Sequence, residues 1–283
     1  MCASISQSKY RCRPRARPGR GELTVIRRHE RSVVVRAFAT SPLRVLTPRN
    51  HGHAAWVYTS SYGGGLVDGD AIALQVTVGR DACAFLTTQA STKVYRSPRG
   101  TTMQMRADIE AGGVLVVAPD PVVCFAQSRY HQAQQFELAA GAGLVVLDWL
   151  SSGRRESGER WAFDVWVSQT VVRLGGRLLV HESQALRASD GDLAERLGSY
   201  DVVAAVIVLG TPLGREAAAI LDRIAAEEVG RCGHRLIAAS AVGESGCLFR
   251  VAGRSVEEVW ETLRDYLAFL PCLLGDNPWA RKW

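Results

Sequence analysis

Two short segments of the sequence carry imidazole and thiol groups at a spacing that suits metal binding. His51 and His53 are two positions apart, and Cys232 and His234 have the same spacing. Residues two apart on a β-strand point to the same side, and imidazole and thiolate are ligands for Ni²⁺, Cu²⁺ or Zn²⁺. Because each pair supplies only two ligands, an ordinary polar loop stays open as the alternative at both places.

Three carboxylates, Asp68, Asp70 and Asp120, lie next to glycine or proline. Oxygen ligands hold such transition metals less tightly than imidazole or thiolate. These residues would therefore suit a site through which a metal ion passes better than a site that retains one. The alternative is turn chemistry, since aspartate beside glycine or proline is typical of turns.

The sequence lacks the short motifs of the common catalytic sites. It has no G-x-x-x-x-G-K-[ST] phosphate loop, no H-E-x-x-H zinc motif and no complete dinucleotide fingerprint. Residues 243–247 resemble a nucleophile elbow, but Cys247 stands where that motif requires glycine. The residues therefore show no recognisable active site, and we do not expect this chain to hydrolyse a nucleotide; a β-rich enzyme with an unrecognised site remains an alternative.

A polar segment at residues 87–97 contains most of the remaining candidate residues. It is rich in threonine and follows three consecutive glycines and an Asp-Gly-Asp turn at residues 63–70. Glycine clusters of this kind indicate a tight backbone or close approach of another chain. A threonine-rich edge strand with no partner is the alternative. The residues that we expect to contact a partner or to line a polar passage are Gly64, Gly65, Asp68, Asp70, Thr87, Thr88, Gln89, Lys93 and Tyr95.

The composition is that of a globular protein with a basic tail. Of the 283 residues, 47% are apolar and 22% are charged, which excludes a disordered chain, and no apolar run approaches the length of a membrane span. Residues 1–20 hold six of the 34 basic residues and no acid, so residues 21–283 carry 28 charges of each sign. We expect a disordered tail and one neutral β-rich domain. Phosphate binding by the tail, or a transit peptide, stays open.

The cysteines and the N-terminus bear on location and partners. The seven cysteines include no C-x-x-C pair, and no apolar segment of a secretory signal follows Met1. We therefore expect free thiols and a cytoplasmic protein. The neutral body lacks the basic face of a nucleic-acid-binding protein, so neither a nucleic acid nor a membrane is an expected partner.

Hydrophobic patterns predict a mainly β fold. Strand, glycine turn and strand recur along the chain, with Gly79, Gly112, Gly141 and Gly175 lying 33, 29 and 34 residues apart. Such spacing favours stacked β-hairpins in a solenoid-like, β-helix-like architecture; evenly spaced hairpins in an ordinary sandwich are the alternative.

Only the C-terminal third predicts helices, and it predicts two. Thr211 and Pro212 are typical of a helix start, with Gly230 as a stop. Ser255 and Glu258 form a capping-box pattern, and apolar residues continue at helical spacing up to Pro271.

The same segments resemble one known family. S-S-Y-G-G-G-L-V-D-G-D at 60–70 and L-T-T-Q-A-S-T-K-V-Y-R-S at 86–97 are similar to the G-G-L-V-x-G-D and T-T-Q-A-x-T-K-x-Y blocks of the UreD (UreH) urease accessory proteins. The family's P-D-P-x-x-x-F, A-[RK]-Y and G-R-x-x-x-G-E blocks follow in order at 119–125, 128–130 and 153–159. The resemblance covers roughly residues 22–270, with Asp68 at a position where the family often has glycine.

The resemblance implies a function in urease maturation. Proteins of this family are not enzymes but join UreF and the GTPase UreG to insert nickel into apo-urease. It implies a β-rich fold with two helices, no permanently bound cofactor, transient contact with nickel, and UreF, UreG and apo-urease as partners. A binding protein that uses the basic tail and has no connection with nickel is the alternative function.

Overall fold

The computed structural model describes residues 18–49, 52–228 and 235–280, and the fold is mainly β. Of the tail predicted at residues 1–20, residues 1–17 lie outside the described residues, and Gly19 and Arg20 belong to β1. The strands are β1 (Gly19–Arg28), β2 (Arg31–Ala39), β3 (Leu43–Leu46), β4 (Ala55–Ser61), β5 (Ala71–Val78), β6 (Cys83–Thr88), β7 (Thr92–Val94), β8 (Thr101–Ile109), β9 (Val114–Val117), β10 (Val122–Cys124), β11 (Arg129–Leu138), β12 (Gly143–Ser151), β13 (Val165–Leu174), β14 (Arg177–Arg187), β15 (Val202–Leu209), β16 (Leu236–Ala241) and β17 (Gly246–Gly253).

The strands form two sheets. Sheet A has seven strands in the order β14-β13-β11-β8-β5-β1-β2. Sheet B has ten, with the main order β16-β17-β15-β12-β9-β6-β4-β3, while the short strands β7 and β10 pair with each other and β10 also pairs with β12. Five neighbouring strands of sheet A, from β13 to β1, and four of sheet B, from β12 to β4, run parallel.

The chain alternates between the two sheets. The strand pairs β5–β6, β8–β9 and β11–β12 each place one strand in sheet A and the next in sheet B. Each strand pairs instead with its equivalent about one repeat away; for example, Ala71 pairs with Thr102 and Cys83 with Val114. The predicted hairpins are therefore wrong at Gly79, Gly112 and Gly141, and only the fourth copy, β13–β14, is an antiparallel hairpin.

In the C-terminal third, the residues that the structure describes form four α-helices rather than the predicted two. They are α1 (Leu193–Leu197), α2 (Gly214–Ala225), α3 (Val256–Tyr266) and α4 (Leu270–Leu274). The predicted helices correspond to α2 and α3, and α1 and α4 are short helices that the periodicity did not reveal. Helix α3 ends at Tyr266, and Pro271 lies in the first turn of α4 rather than ending a longer helix. Proline fits there because the first turn lacks intrahelical N–H partners.

The capping-box prediction for α3 is confirmed by its hydrogen bonds. Ser255 Oγ accepts from the Glu258 amide at 3.1 Å, and the Glu258 carboxylate accepts from the Arg254 amide at 2.9 Å. For α2, a short 3₁₀ turn at Thr211–Leu213 precedes the α-helix, so the α-helix itself begins at Gly214.

Two apolar cores separate three layers. One core lies between the sheets, and the other lies between sheet B and helices α2–α4. Alternation along β12 divides its side chains between them, because successive strand residues face opposite sides. Leu144, Val146 and Leu150 face sheet A, whereas Val145, Leu147 and Trp149 face the helices. None of the described helices has the length and apolar content that a membrane span requires.

Candidate functional site: a polar cavity between the sheets

A cavity of about 140 Å³ lies between sheets A and B. Its more exposed lining residues form a rim that includes Ser60, Ser61, Gly64, Ala90 and Ser91. From this rim the cavity extends inward past apolar side chains of both sheets. The lining also includes nine polar residues apart from Ser60, Ser61 and Ser91. Some lie near the rim and some at the deep end: Thr59, Thr87, Thr88, Thr92, Asp120, Tyr130, Gln132, Gln134 and Asp148.

Strand alternation explains why the polar groups face inward. On β11, Tyr130, Gln132 and Gln134 share one face with the core residues Phe136 and Leu138. Glutamine thus occupies two positions where the pattern would otherwise place apolar side chains. Such buried polar groups need hydrogen-bond partners, and these glutamines have them.

Near the rim, threonine hydroxyls fix the surrounding backbone and one carboxylate. Thr88 Oγ1 donates to Asp120 Oδ2 at 2.9 Å and accepts from the Asp120 amide at 2.7 Å. Thr87 Oγ1 donates to the Ala118 carbonyl at 2.6 Å, and Thr59 Oγ1 donates to the Thr87 carbonyl at 3.2 Å. The Thr88–Asp120 pair therefore joins the end of β6 to the segment after β9 and positions a carboxylate at the cavity.

Asp148 is the acceptor of a hydrogen-bond network at the deep end. Gln132 Nε2 donates to Asp148 Oδ1 at 3.1 Å, and Ser168 Oγ donates to Asp148 Oδ2. Tyr130 in turn donates its hydroxyl to Gln132 Oε1 at 3.0 Å. Burial raises the pKa of Asp148 above its ordinary value; the bonds from Ser168 and Gln132 act in the opposite direction, and the charge of Glu182 adds to the rise.

The glycine-rich turn before β5 is fixed by its own aspartates. The Asp70 carboxylate accepts from the Val67 amide at 2.9 Å. Asp68 accepts from the Arg99 amide at 2.8 Å and from its Nε at 2.7 Å. Although partial burial acts in the opposite direction, the hydrogen bonds and positive charge of Arg99 lower the pKa of Asp68. The charge that Asp68 adds to this turn is therefore paired.

Backbone contacts join this turn to the threonine-rich segment. The Leu66 amide donates to the Lys93 carbonyl at 2.8 Å, and the Tyr95 amide donates to the Leu66 carbonyl at 3.0 Å. At Gly65 an added Cβ would lie 2.6 Å from Tyr95 Cε2 and 2.7 Å from the Lys93 carbonyl oxygen. Glycine is required there because the two segments approach so closely.

The G-R-x-x-x-G-E block at residues 153–159 is a loop that an internal ion pair closes and that lies beside Tyr95 of the threonine-rich segment. Arg154 donates to both carboxylate oxygens of Glu159, and the Arg154 guanidinium lies 4.3 Å from the ring centre of Phe125. Phe125 packs edge-on against Tyr95 at a centroid distance of 5.1 Å. The hydrogen bond from Arg154 lowers the pKa of Glu159, and a bond from the Ala126 amide adds to this effect. This block therefore supports Tyr95 rather than the cavity.

The structure brings together part of the predicted site. Gly64, Thr87, Thr88 and Asp120 line the cavity, and the residues at its deep end, Gln132, Gln134 and Asp148, were missed. The predicted residues outside its lining are Gly65, Asp68, Asp70, Gln89, Lys93 and Tyr95. Gln89 and Lys93 are exposed.

The predicted histidine and cysteine pairs are not assembled by the described residues. His53 lies against Gly275, after α4, and its carbonyl accepts from the Ser32 amide at 2.7 Å. His51, Cys232 and His234 lie outside the described residues. Within residues 18–49, 52–228 and 235–280, no group of three His, Cys, Asp or Glu residues is placed to hold a metal ion.

Comparison with known proteins identifies the family. Residues 17–283 match the family model described as UreD urease accessory protein. The chain is 46% identical over 281 residues to the urease accessory protein UreD of Sorangium cellulosum (strain So ce56), covering 99% of this chain and 89% of the relative. It is 40% identical to the protein of the same name from Anaeromyxobacter sp. (strain Fw109-5), over 99% and 94% of the two chains.

A plant relative is also similar to this chain over most of its length. The chain is 35% identical to urease accessory protein D of Oryza sativa subsp. indica, over 92% of this chain and 94% of the relative. The sequence blocks that suggested the family all lie within residues 17–283, which the family model matches. The chain belongs to the UreD urease accessory protein family.

Proposed function

We propose that this protein helps to insert nickel into apo-urease, as a scaffold that works with UreF and the GTPase UreG in the cytoplasm. Membership of the UreD family supports a role in urease maturation. The observation that carries the finer proposal is the cavity, which has oxygen ligands at both ends. Asp120 lines it close to Thr88, and Asp148 closes its deep end.

The chemistry of these groups suits a cation in passage. Carboxylate, hydroxyl and amide oxygens bind Ni²⁺ less tightly than imidazole or thiolate, and a transit path needs sites that the ion can leave. The raised pKa of Asp148 means that its environment disfavours the charged carboxylate. A divalent cation nearby would favour that charged form, so cation binding and proton release would be linked at Asp148.

We interpret the alternation of the chain between sheets as the solenoid-like, β-helix-like arrangement expected from the glycine spacing. Each repeat adds one strand to each sheet, and the parallel ladders hold successive repeats in register. Such a stack forms a rigid scaffold in which a cavity between layers keeps its shape. We expect no permanently bound cofactor, and GTP hydrolysis would belong to UreG, because this sequence has no phosphate loop.

The test replaces individual carboxylates by amides in cells that express the urease subunits, UreF, UreG and this chain with nickel. Asp120→Asn and Asp148→Asn remove charge from the cavity without changing side-chain size. Asp70→Asn is the matched control, because Asp70 lies outside the cavity lining and the side-chain oxygen of asparagine can still accept from the Val67 amide. Urease activity, the nickel content of purified urease and co-purification with UreF are measured.

We expect the two cavity variants to lower urease activity and nickel content several-fold while co-purification with UreF persists. The Asp70→Asn control should match the parent. Full nickel content in the Asp120→Asn/Asp148→Asn double variant would exclude these carboxylates from the path. Urease that acquires nickel equally well when the whole chain is omitted would refute the maturation role itself.

A further inference from the structure

Polar side chains continue between the sheets beyond the deep end of the cavity. In sheet B, strand register places Asp148 beside Ala205, and Ala205 beside Arg250. Ala204 and Val206 pack in the core against the helices, so Ala205 and its two neighbours face sheet A. Neighbouring strands are about 4.8 Å apart, which separates the Asp148 and Arg250 backbones by only about 10 Å. The residue between them, Ala205, has only a methyl side chain and is 4% exposed.

Sheet A presents polar residues opposite this row. Its register aligns Gln134 with Thr170, and Thr170 with Glu182. Gln134 Nε2 donates to Thr170 Oγ1 at 3.4 Å, and Gln184 Nε2 donates to Glu182 Oε1 at 3.1 Å. We call this continuation the polar seam; it consists of Asp148, Ser168, Thr170, Glu182, Gln184 and Arg250.

An ion pair between the two sheets lies at the outer end of the polar seam. Arg250 on β17 donates through Nε at 3.2 Å and Nη2 at 2.5 Å to the two carboxylate oxygens of Glu182 on β14. The Arg250 side chain is 51% exposed and that of Glu182 only 14%. Arg250 therefore lies on the solvent side and covers a carboxylate that faces the interior.

Charge makes this pair suited to controlling a cation. Glu182 and Asp148 are close enough for the negative charge of Glu182 to disfavour ionisation of Asp148. When Arg250 is in place, it neutralises Glu182 and puts a positive charge at the outer end. When Arg250 moves into solvent, the two carboxylates are left close together without its positive charge, and a divalent cation would offset their repulsion. Half-exposed ion pairs are weak, so the pair can separate without unfolding the chain.

We propose that the Glu182–Arg250 ion pair closes the solvent end of the polar seam, and that its separation opens a second route by which a divalent cation reaches or leaves Asp148. The inference rests on the proposed function in one respect, since the cation is the cargo proposed above. The closure itself is a property of this chain alone and is tested without nickel or urease.

The test uses a thiol placed inside the seam. Thr170→Cys is introduced into a chain whose other accessible or undescribed cysteines are replaced by serine, namely Cys2, Cys12, Cys232 and Cys272. Thr170 is 3% exposed and lies beside Glu182. The rate of its modification is measured with two small methanethiosulfonates, one neutral (methyl) and one cationic (aminoethyl), in the parent and in Arg250→Met.

We expect slow modification of the parent and at least tenfold faster modification in Arg250→Met. In the parent, the cationic reagent should react more slowly than the neutral one because the positive charge of Arg250 repels it. In Arg250→Met it should react faster than the neutral one because the negative charge of Glu182 attracts it. Arg36→Met is the matched control, since Arg36 forms an exposed ion pair with Glu22 at 2.5 Å, remote from the seam. It should leave both rates unchanged.

Rates in Arg250→Met within twofold of the parent, or an equal rise in Arg36→Met, would overturn the closure. Circular dichroism and melting temperature establish that each variant is folded. If Arg250→Met does not fold, Glu182→Gln weakens the same pair with little change in shape and should raise the rates several-fold; unchanged rates there would also refute the proposal. Faster modification together with unchanged urease activation in Asp148→Asn would keep the closure and reject nickel passage.

Discussion

Thr88→Val gives the sharpest test of how the cavity carboxylate is positioned. Valine has nearly the shape of threonine but lacks the hydroxyl. In the protein that hydroxyl donates to Asp120 Oδ2 at 2.9 Å and accepts from the Asp120 amide at 2.7 Å. The variant therefore removes two hydrogen bonds to one residue, and one of them involves a carboxylate.

The expected cost follows from these two bonds. A neutral hydrogen bond contributes about 1 kcal/mol net and a bond to a charged group about 1.5–3 kcal/mol, so Thr88→Val should lose about 2.5–4 kcal/mol. Thr87→Val is the matched control, because its hydroxyl makes a single bond, to the Ala118 carbonyl at 2.6 Å, and should cost about 1 kcal/mol. For a chain of this size the melting temperature falls by roughly 2–4 °C per kcal/mol. We therefore expect a decrease of about 5–16 °C for Thr88→Val.

Urea unfolding at 25 °C, followed by circular dichroism, measures both free energies. The decisive quantity is the difference between the two variants rather than either value, because both delete one hydroxyl from neighbouring positions of β6. If Thr88→Val costs no more than Thr87→Val, the reciprocal bonds do not hold Asp120, and its position at the cavity needs another explanation.

Three further outcomes are expected. Because the pKa of Asp148 is raised from 3.8, the folded chain binds this proton more tightly than the unfolded chain, and the parent loses stability as pH rises above about 4. Asp148→Asn should therefore gain stability relative to the parent as pH rises above that value. A difference between their urea midpoints that does not change with pH would contradict this. Gly65→Ala places a Cβ 2.6 Å from Tyr95 Cε2 and should cost about 1–3 kcal/mol, measured by thermal unfolding. Iodoacetamide at pH 8 should modify exposed Cys272 but spare Cys83, whose pKa burial raises to about 12; equal modification by mass spectrometry would refute this.

The sequence predicted the strand content and the repeat but not the pairing. The preference of a segment for a turn or a strand depends on its own residues and can therefore be predicted from the sequence. The sheet that a strand joins depends instead on the direction that the chain takes after the turn. The structure explains the even spacing of the glycines through stacked turns. An added Cβ at Gly112 would lie 1.9 Å from Asp81 Oδ1 of the preceding repeat, and the Gly143 amide donates to the Gly113 carbonyl at 2.9 Å.

The rim of the site was more predictable than its deep end. Thr87 and Thr88 belong to a long, specific polar block, so the sequence distinguished them. Asp148 was missed because it is a single charge within an apolar run, and such a run indicates a buried strand. Alternation would have placed Asp148 on the same face as Val146 and Leu150, which was the available signal. Its partners on sheet A could not be predicted, since they depend on how the sheets face each other.

The direction of the outermost strands has a consequence for self-assembly. In both sheets the main strand order ends on each side with a strand antiparallel to its neighbour: β2 and β14 in sheet A, β3 and β16 in sheet B. If all strands were parallel, the outer strand of one copy could pair with the outer strand of another copy in the same way that successive repeats pair within the chain. Such pairing could be repeated without end and would form a fibre. Reversing the last strands interrupts that pairing, as edge strands must be protected against such growth. The reversed outer strands thus limit the length to which such a stack can grow.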